Sequence, residues 1–206
     1  MMSNLVLIGA QWGDEGKGKI IDLLAHQNDY IVRYQGGNNA GHTICVGNQK
    51  FVLHLIPSGI LHPKKICVIG SGVVIDPAAF FREVQMLKKR GVKVRGRLFV
   101  SERAHLIFPY HWLVDELREE VKGKGKIGTT KKGIGPCYGD KVSRLGIRVV
   151  DLMNPKVFRE RLKAVLKEKN LMLRKIFNYS PFPFEQMHRT YSRYRSHLAP
   201  FVCDTS

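Results

Sequence analysis

The stretch Gly13-Asp14-Glu15-Gly16-Lys17-Gly18-Lys19 follows a short apolar run, Leu5 to Gly9, and leads into Ile20, Ile21, Leu23 and Leu24, which cluster as on a helix. A buried strand, a glycine-rich turn and a helix are the elements this order predicts. Glycines let the backbone surround an anion, a helix N-terminus adds partial positive charge, and two lysines can reach phosphate oxygens. The segment therefore constrains the fold to an α/β type with a P-loop-like phosphate-binding loop after the first strand. Gly13 with Gly18-Lys19 satisfies GxxxxGK, but Ile20 stands where a Walker A loop carries the Ser or Thr that holds magnesium. A metal here needs another ligand, and Asp14 is the candidate, because a carboxylate inside such a loop serves a cation or a proton transfer. The acidic pair and the absent hydroxyl count against an ordinary Walker NTPase, and the flanking strand and helix count against a merely solvated turn.

Further strands are expected at Tyr30 to Tyr34, Phe51 to Ile56, Ile66 to Gly70 and Leu98 to Val100. Asp76-Pro77 supplies an N-cap and a first-turn proline for a helix whose face is Phe80, Val84 and Leu87 and which stops near Gly91. A second helix is expected over His111 to Val121, with Leu113, Val114, Leu117 and Val121 inward and the acids on the other side. Asn154-Pro155 opens a third, with Phe158, Leu162, Val165 and Leu166 on one face. Residues 122–140 are rich in Gly and Lys with little apolar periodicity and are expected to form an exposed loop. Strands alternating with helices predict a mainly parallel sheet with flanking helices, in a single domain over 1–206 whose part from 152 on is helical. From Ser180 on the periodicity is poor, and the end is expected to be a cut helix lacking its core partner.

The chain of 206 residues has Lys+Arg 34 against Asp+Glu 17, a net charge of +17. The glycine-rich first third is nearly neutral, so phosphate chemistry there depends on placed groups; the basic excess lies in residues 88–148 and 152–206. A nucleic-acid footprint would interleave aromatics with those cations or supply a reading helix, and neither pattern is found, so a solvated basic face is expected and nucleic acid is not the expected partner. Stacking of Tyr191 to Arg195 on single strands is the weaker alternative. Four widely spaced cysteines fit neither a metal clip nor a disulfide framework. No apolar stretch approaches the roughly 20 residues that span a bilayer, and the first residues lack a basic signal-type region, so a cytoplasmic protein without a membrane partner is expected.

The second constellation is Gln35-Gly36-Gly37-Asn38-Asn39-Ala40-Gly41-His42-Thr43, after the predicted second strand. Small residues and asparagines at a strand's C-terminal end suit a ligand crevice in an open α/β sheet, with His42 facing it as an acid or charge stabiliser. Together QWGDEGKGK (Gln11 to Lys19), VRYQGGNNAGHT (Val32 to Thr43), LHLIPSGIL (Leu53 to Leu61), IGTT (Ile127 to Thr130) and GIGPCYGDKVSRLGIRV (Gly133 to Val149) resemble, in order and spacing, the signatures of adenylosuccinate synthetase, the GTP-dependent ligase of IMP and aspartate. The similarity is densest through residue 151.

What the resemblance implies is specific. Asp14 matches the general base that takes the N1 proton of IMP and also binds magnesium, His42 the acid, and Lys17 a third catalytic group; Gly41 matches a backbone carbonyl ligand of the Mg²⁺. Gly13, Asp14, Glu15, Gly16, Lys17, Gly18, Lys19, Gly41, His42 and Thr43 match GTP contacts. Asp14, Glu15, Gly16, Lys17, Asn39, Ala40, Gly41 and His42 match IMP contacts, as do Thr130 and Arg144 at its phosphate, Arg144 reaching across a homodimer interface. Lys131-Lys132 stand where Gly-Arg is common, and Gly139 where an acid is often seen. Members of that family are longer, and their C-terminal halves supply guanine and aspartate recognition, so the chain is expected to correspond to an N-terminal half. The expectations are a ligase of AMP biosynthesis passing through 6-phosphoryl-IMP, with a catalytically inactive nucleotide-binding or dimerising fragment, or a basic nucleic-acid binder, as the alternatives.

Overall fold

A computed structural model describes residues 4–10, 16–122, 125 and 128–205. Its core is a parallel sheet in the order β1 (Tyr30–Gly36), β4 (Ile66–Ile75), β5 (Leu98–Ser101) and β7 (Val202–Cys203), with β6 (His105–Leu106) also paired to β4. β4, almost wholly apolar and 10 residues long, is the spine; Ile69, Val73, Val74 and Ile75 are fully buried on it. β2 (His42–Val46) and β3 (Gln49–Leu53) form a separate antiparallel hairpin that pairs His42 with Leu53.

Helices pack on the sheet where the sequence provides apolar faces and caps. α1 (Lys17–Ala25) starts after Gly16, which is left-handed at φ 80. The Asp76 carboxylate accepts from the N–H groups of Ala78 at 2.9 Å and Ala79 at 3.2 Å and starts α2 (Pro77–Lys89), as expected. α3 is Pro109–Val121, α4 Ile134–Val142, α5 Val149–Met153 and α6 Pro155–Phe177. Phe158, Leu162, Val165 and Leu166 are buried on α6 as the periodicity predicts. The mainly parallel α/β class is correct, and among the described residues no helix is long and apolar enough to cross a membrane.

Five expectations need correction. Leu5 to Gly9 is not a strand here: it has no assigned pairing, and Leu5, Val6 and Ile8 are exposed, because no described strand lies beside it to satisfy its backbone. The third strand is Gln49–Leu53 rather than Phe51 to Ile56, because it is bound to β2 through the Gly47-Asn48 turn. Residues 122–140 are not all loop, since α4 lies partly within them. The acids of α3 do not all face solvent: Asp115 and Glu119 are buried, drawn in by the N–H groups of Gly133, Gly128 and Thr129. The end is not a cut helix either. α7 (Phe184–Leu198) buries Met187, Tyr191 and Leu198, Phe201 follows into the core against Phe80, and β7 joins β5. Tyr191 donates its hydroxyl to the Ile107 carbonyl at 2.6 Å, which removes it from any stacking role on nucleic acid.

Candidate active site

The C-terminal end of β1, the N-terminus of α1 and the start of the hairpin meet at one place. A Cβ built on Gly18 would lie 2.4 Å from the His42 ring and 2.9 Å from the His42 Cβ, so α1 touches that imidazole directly and only glycine leaves room for it. Lys17, one residue earlier, is close enough to act electrostatically on His42. Gly41 faces the ring of His54, which contributes a second imidazole beside the first. Asn39, Ala40, Gly41 and Thr43 are exposed around this junction, and His42 is half-buried. Of the expected loop residues, Gly18 and Lys17 of α1 lie beside His42. Gly13, Asp14 and Glu15 lie outside the described residues.

The backbone beside His42 is held by two charged side chains that sequence reasoning missed. The Arg33 guanidinium donates to the carbonyls of Gln35, His54, Leu55 and Gly37, the last at 2.5 Å. From the opposite side, the buried Glu83 carboxylate of α2 accepts the N–H groups of His54, Leu55 and Ile56. One cation and one anion therefore grip the same stretch, His54 to Ile56, which leaves the hairpin next to His42. Burial pushes Glu83 above the ordinary carboxylate range, against the pull of those three N–H groups. A signal existed: an arginine within an otherwise apolar strand and a glutamate on the buried face of a helix each demand a polar partner. Asn38, one of the two asparagines of the constellation, is buried here. It is 6% exposed, and its Oδ1 is buried without a hydrogen-bond partner among the described residues.

α4 packs against the end of β1 beside this junction. Ile134 at its start packs against Gly37, where a Cβ would lie 2.4 Å from Ile134 Cδ1. The Tyr138 hydroxyl accepts from the Gly36 N–H at 2.8 Å and donates to the Gly72 carbonyl at 2.7 Å, tying α4 to the end of β1 and to β4. Thr130 lies exposed just before α4, and Arg144 lies exposed just after it in a left-handed turn at φ 64. The two are placed at opposite ends of the helix rather than side by side.

His42 is held below the ordinary imidazole range, first by burial and then by the positive charge of Arg33, against a hydrogen bond the ring donates to the Leu53 backbone. The neutral ring is thus favoured while the crevice holds no anion, which differs from a standing acid. A bound phosphate reverses the balance, so binding takes up a proton and affinity falls as pH rises through the raised pKa of the complex. The expected NMR titration of His42 is below about 6.5 in the free protein and higher with a saturating nucleoside triphosphate. A free-state value at or above that mark would contradict this electrostatic account.

Magnesium takes oxygen donors. Gly41 is an exposed loop residue beside His42 and suits a carbonyl ligand, the orphaned Asn38 Oδ1 is another oxygen nearby in sequence, and no cluster of three or more His, Cys, Asp or Glu suited to a metal occurs among the described residues. Oxygen donors of this kind suit a hard ion such as magnesium.

Comparison with known proteins agrees. The adenylosuccinate synthetase family model matches residues 6–206. Adenylosuccinate synthetase of Caldanaerobacter subterraneus subsp. tengcongensis is 57% identical over 206 residues, covering 100% of this chain and 48% of the relative, and that of Carboxydothermus hydrogenoformans is 57% identical over 205 residues with 48% of its length covered. The chain spans about half the length of the curated relatives it matches. The structure of fully ligated adenylosuccinate synthetase from Plasmodium falciparum superposes with a TM-score of 0.82 at 38% identity, over 95% of this chain and 45% of that one. With the phosphate loop's helix, the NNAGHT turn and the GIGPCYGDK helix converging as described, this chain belongs to the adenylosuccinate synthetase family.

Proposed function

We propose that the chain provides the phosphate- and IMP-binding half of an adenylosuccinate synthetase, a cytoplasmic, homodimeric ligase that joins IMP and L-aspartate at the expense of GTP. The observation that carries this is the contact of Gly18 with His42, which sets the N-terminus of α1 and its lysines against the NNAGHT turn. Asp14 takes the N1 proton of IMP, building negative charge on O6, which then accepts the γ-phosphoryl group of GTP to give 6-phosphoryl-IMP. Lys17 and His42 balance charge on the transferring group, whose loose transition state is stabilised almost wholly by positioned positive groups. The amine of aspartate then displaces phosphate at C6. Asp14 and the Gly41 carbonyl would hold Mg²⁺, which when bound neutralises phosphate oxygens. Thr130 and Arg144 bind the 5′-phosphate of IMP, and Asn39 and Ala40 line its crevice.

One observation favours a chain that binds nucleotide without turnover: it spans 48% of the length of the curated relatives it matches. Titrating GTP with Mg²⁺ and IMP into the 206-residue chain, and assaying adenylosuccinate formation with aspartate, separates the two readings. Binding of both nucleotides together with turnover is the expected result for the synthetase; binding alone would leave the non-catalytic fragment, and no affinity for either would remove both.

A further inference from the structure

α3 presents three buried polar side chains on one face, His111, Asp115 and Glu119, 2%, 8% and 5% exposed and spaced i, i+4, i+8. Each holds a different point of the segment that carries Thr130 and α4. The Glu119 carboxylate accepts from the N–H of Gly128 at 2.9 Å and of Thr129 at 3.4 Å. Asp115 Oδ2 accepts from the Gly133 N–H at 3.0 Å, at the left-handed N-cap of α4. His111 Nδ1 accepts from the Phe108 N–H, so its Nε2 carries the proton and donates to Asp140 Oδ2 at 3.0 Å. Asp140 Oδ1 receives the Lys169 ammonium of α6 at 2.5 Å. Past the end of α4, the Asp140 carbonyl accepts from the N–H groups of Leu145 at 2.9 Å and Gly146 at 2.8 Å, closing the turn in which Arg144 sits at positive φ.

An apolar interface would bury this segment equally well. Burying carboxylates instead carries a desolvation penalty and repays it only when the partner groups are held in good geometry, so the pattern fixes direction and spacing. We propose that His111, Asp115 and Glu119 of α3, with Lys169 of α6, are positioning residues that rack the segment 128–146 and hold Thr130 and Arg144 at a fixed separation for recognition of a nucleoside monophosphate. This rests on the function proposed above. If Arg144 crosses a dimer interface, the same rack fixes the group lent to the partner's site relative to the chain's own site.

The test uses the full 206-residue chain with Asp115→Ala and Glu119→Ala, and with Asp115→Asn and Glu119→Gln, which keep an acceptor oxygen and remain foldable where the alanine variants fail. Amide exchange is read at residues 128–146 and in β4, and affinities for IMP and for GTP with Mg²⁺ are measured. In the alanine variants, Leu145 and Gly146, which neither side chain touches, should exchange at least about tenfold faster while β4 is unchanged. The IMP dissociation constant should rise about tenfold or more with GTP altered less than about twofold, and the Asn and Gln variants should recover most of both. Unchanged exchange at Leu145 and Gly146, or equal weakening of IMP and GTP, would overturn the rack. A parent chain with no IMP affinity would sink the proposed function instead, and the exchange at Leu145 and Gly146 would still decide for or against the rack.

Discussion

Gly18→Ala is expected to cost at least about a hundredfold in affinity for a nucleoside triphosphate with Mg²⁺, equivalent to roughly 2.7 kcal/mol. The new methyl group would sit 2.4 Å from His42 Cδ2, 2.7 Å from Cγ and 2.9 Å from Cβ. Contact with the root of a side chain cannot be relieved by a rotation of its tip, so either the imidazole leaves the crevice or the first turn of α1 moves away. Both outcomes separate the helix N-terminus from His42, and preorganised charge is worth most when it need not be rearranged. Alanine favours a helix interior over glycine by about 1 kcal/mol, which offsets part of the cost of that displacement, so binding should fall by more than stability. Isothermal titration of the triphosphate, with thermal unfolding measured in parallel, separates the two effects. Affinity within about twofold of the parent would mean that the Gly18–His42 contact does not matter to the site.

That contact was invisible in the sequence, although both partners were named from it. The glycines and lysines of Gly16 to Lys19 declared an anion site by residue type, and the NNAGHT turn declared a crevice by its position after a strand. Their mutual distance is tertiary information. The caps and apolar faces of α2 and α6 were legible because Asp76-Pro77, Asn154-Pro155 and the heptad-like spacing act locally. α4 was not legible, because GIGPCYGDKV combines poor helix formers, and its stability comes from Asp115, His111, Lys169 and the Tyr138 hydroxyl across the fold. Two signals were present and missed. Gly47-Asn48 between two short apolar runs marks a hairpin, and Met187, Tyr191 and Leu198 recur at i, i+4 and i+11, which is one helix face. Leu5 to Gly9 reads as a strand from its apolar run, yet a strand exists only against a neighbour, and none among the described residues supplies one.

The edge of β1 leads to the other large expected effect. Purified at tens of micromolar, the 206-residue chain should self-associate beyond a dimer, and Val32→Lys with Tyr34→Lys should suppress that association. Among the described residues β1 is the last strand of its sheet, and Tyr30, Val32 and Tyr34, spaced by two and therefore on one face, are 64%, 51% and 44% exposed. Leu5, Val6, Ile8, Ile20 and Leu23 are also exposed, adding apolar surface elsewhere on the chain. An uncovered edge strand with an apolar face is a template for another strand, and lysine is the residue that natural edges use to prevent it. The relatives are about twice as long as this chain, so in them further polypeptide is available to lie against this face. A homodimer of the kind the Arg144 resemblance implies would be a separate contact, through the turn after α4, and the lysine substitutions should leave it intact. Sedimentation velocity distinguishes these outcomes: large species in the parent that give way to dimer or monomer in the double variant support the edge as the contact. A parent chain free of higher species at that concentration, or a double variant that associates as strongly, would show that β1 is adequately protected as it stands.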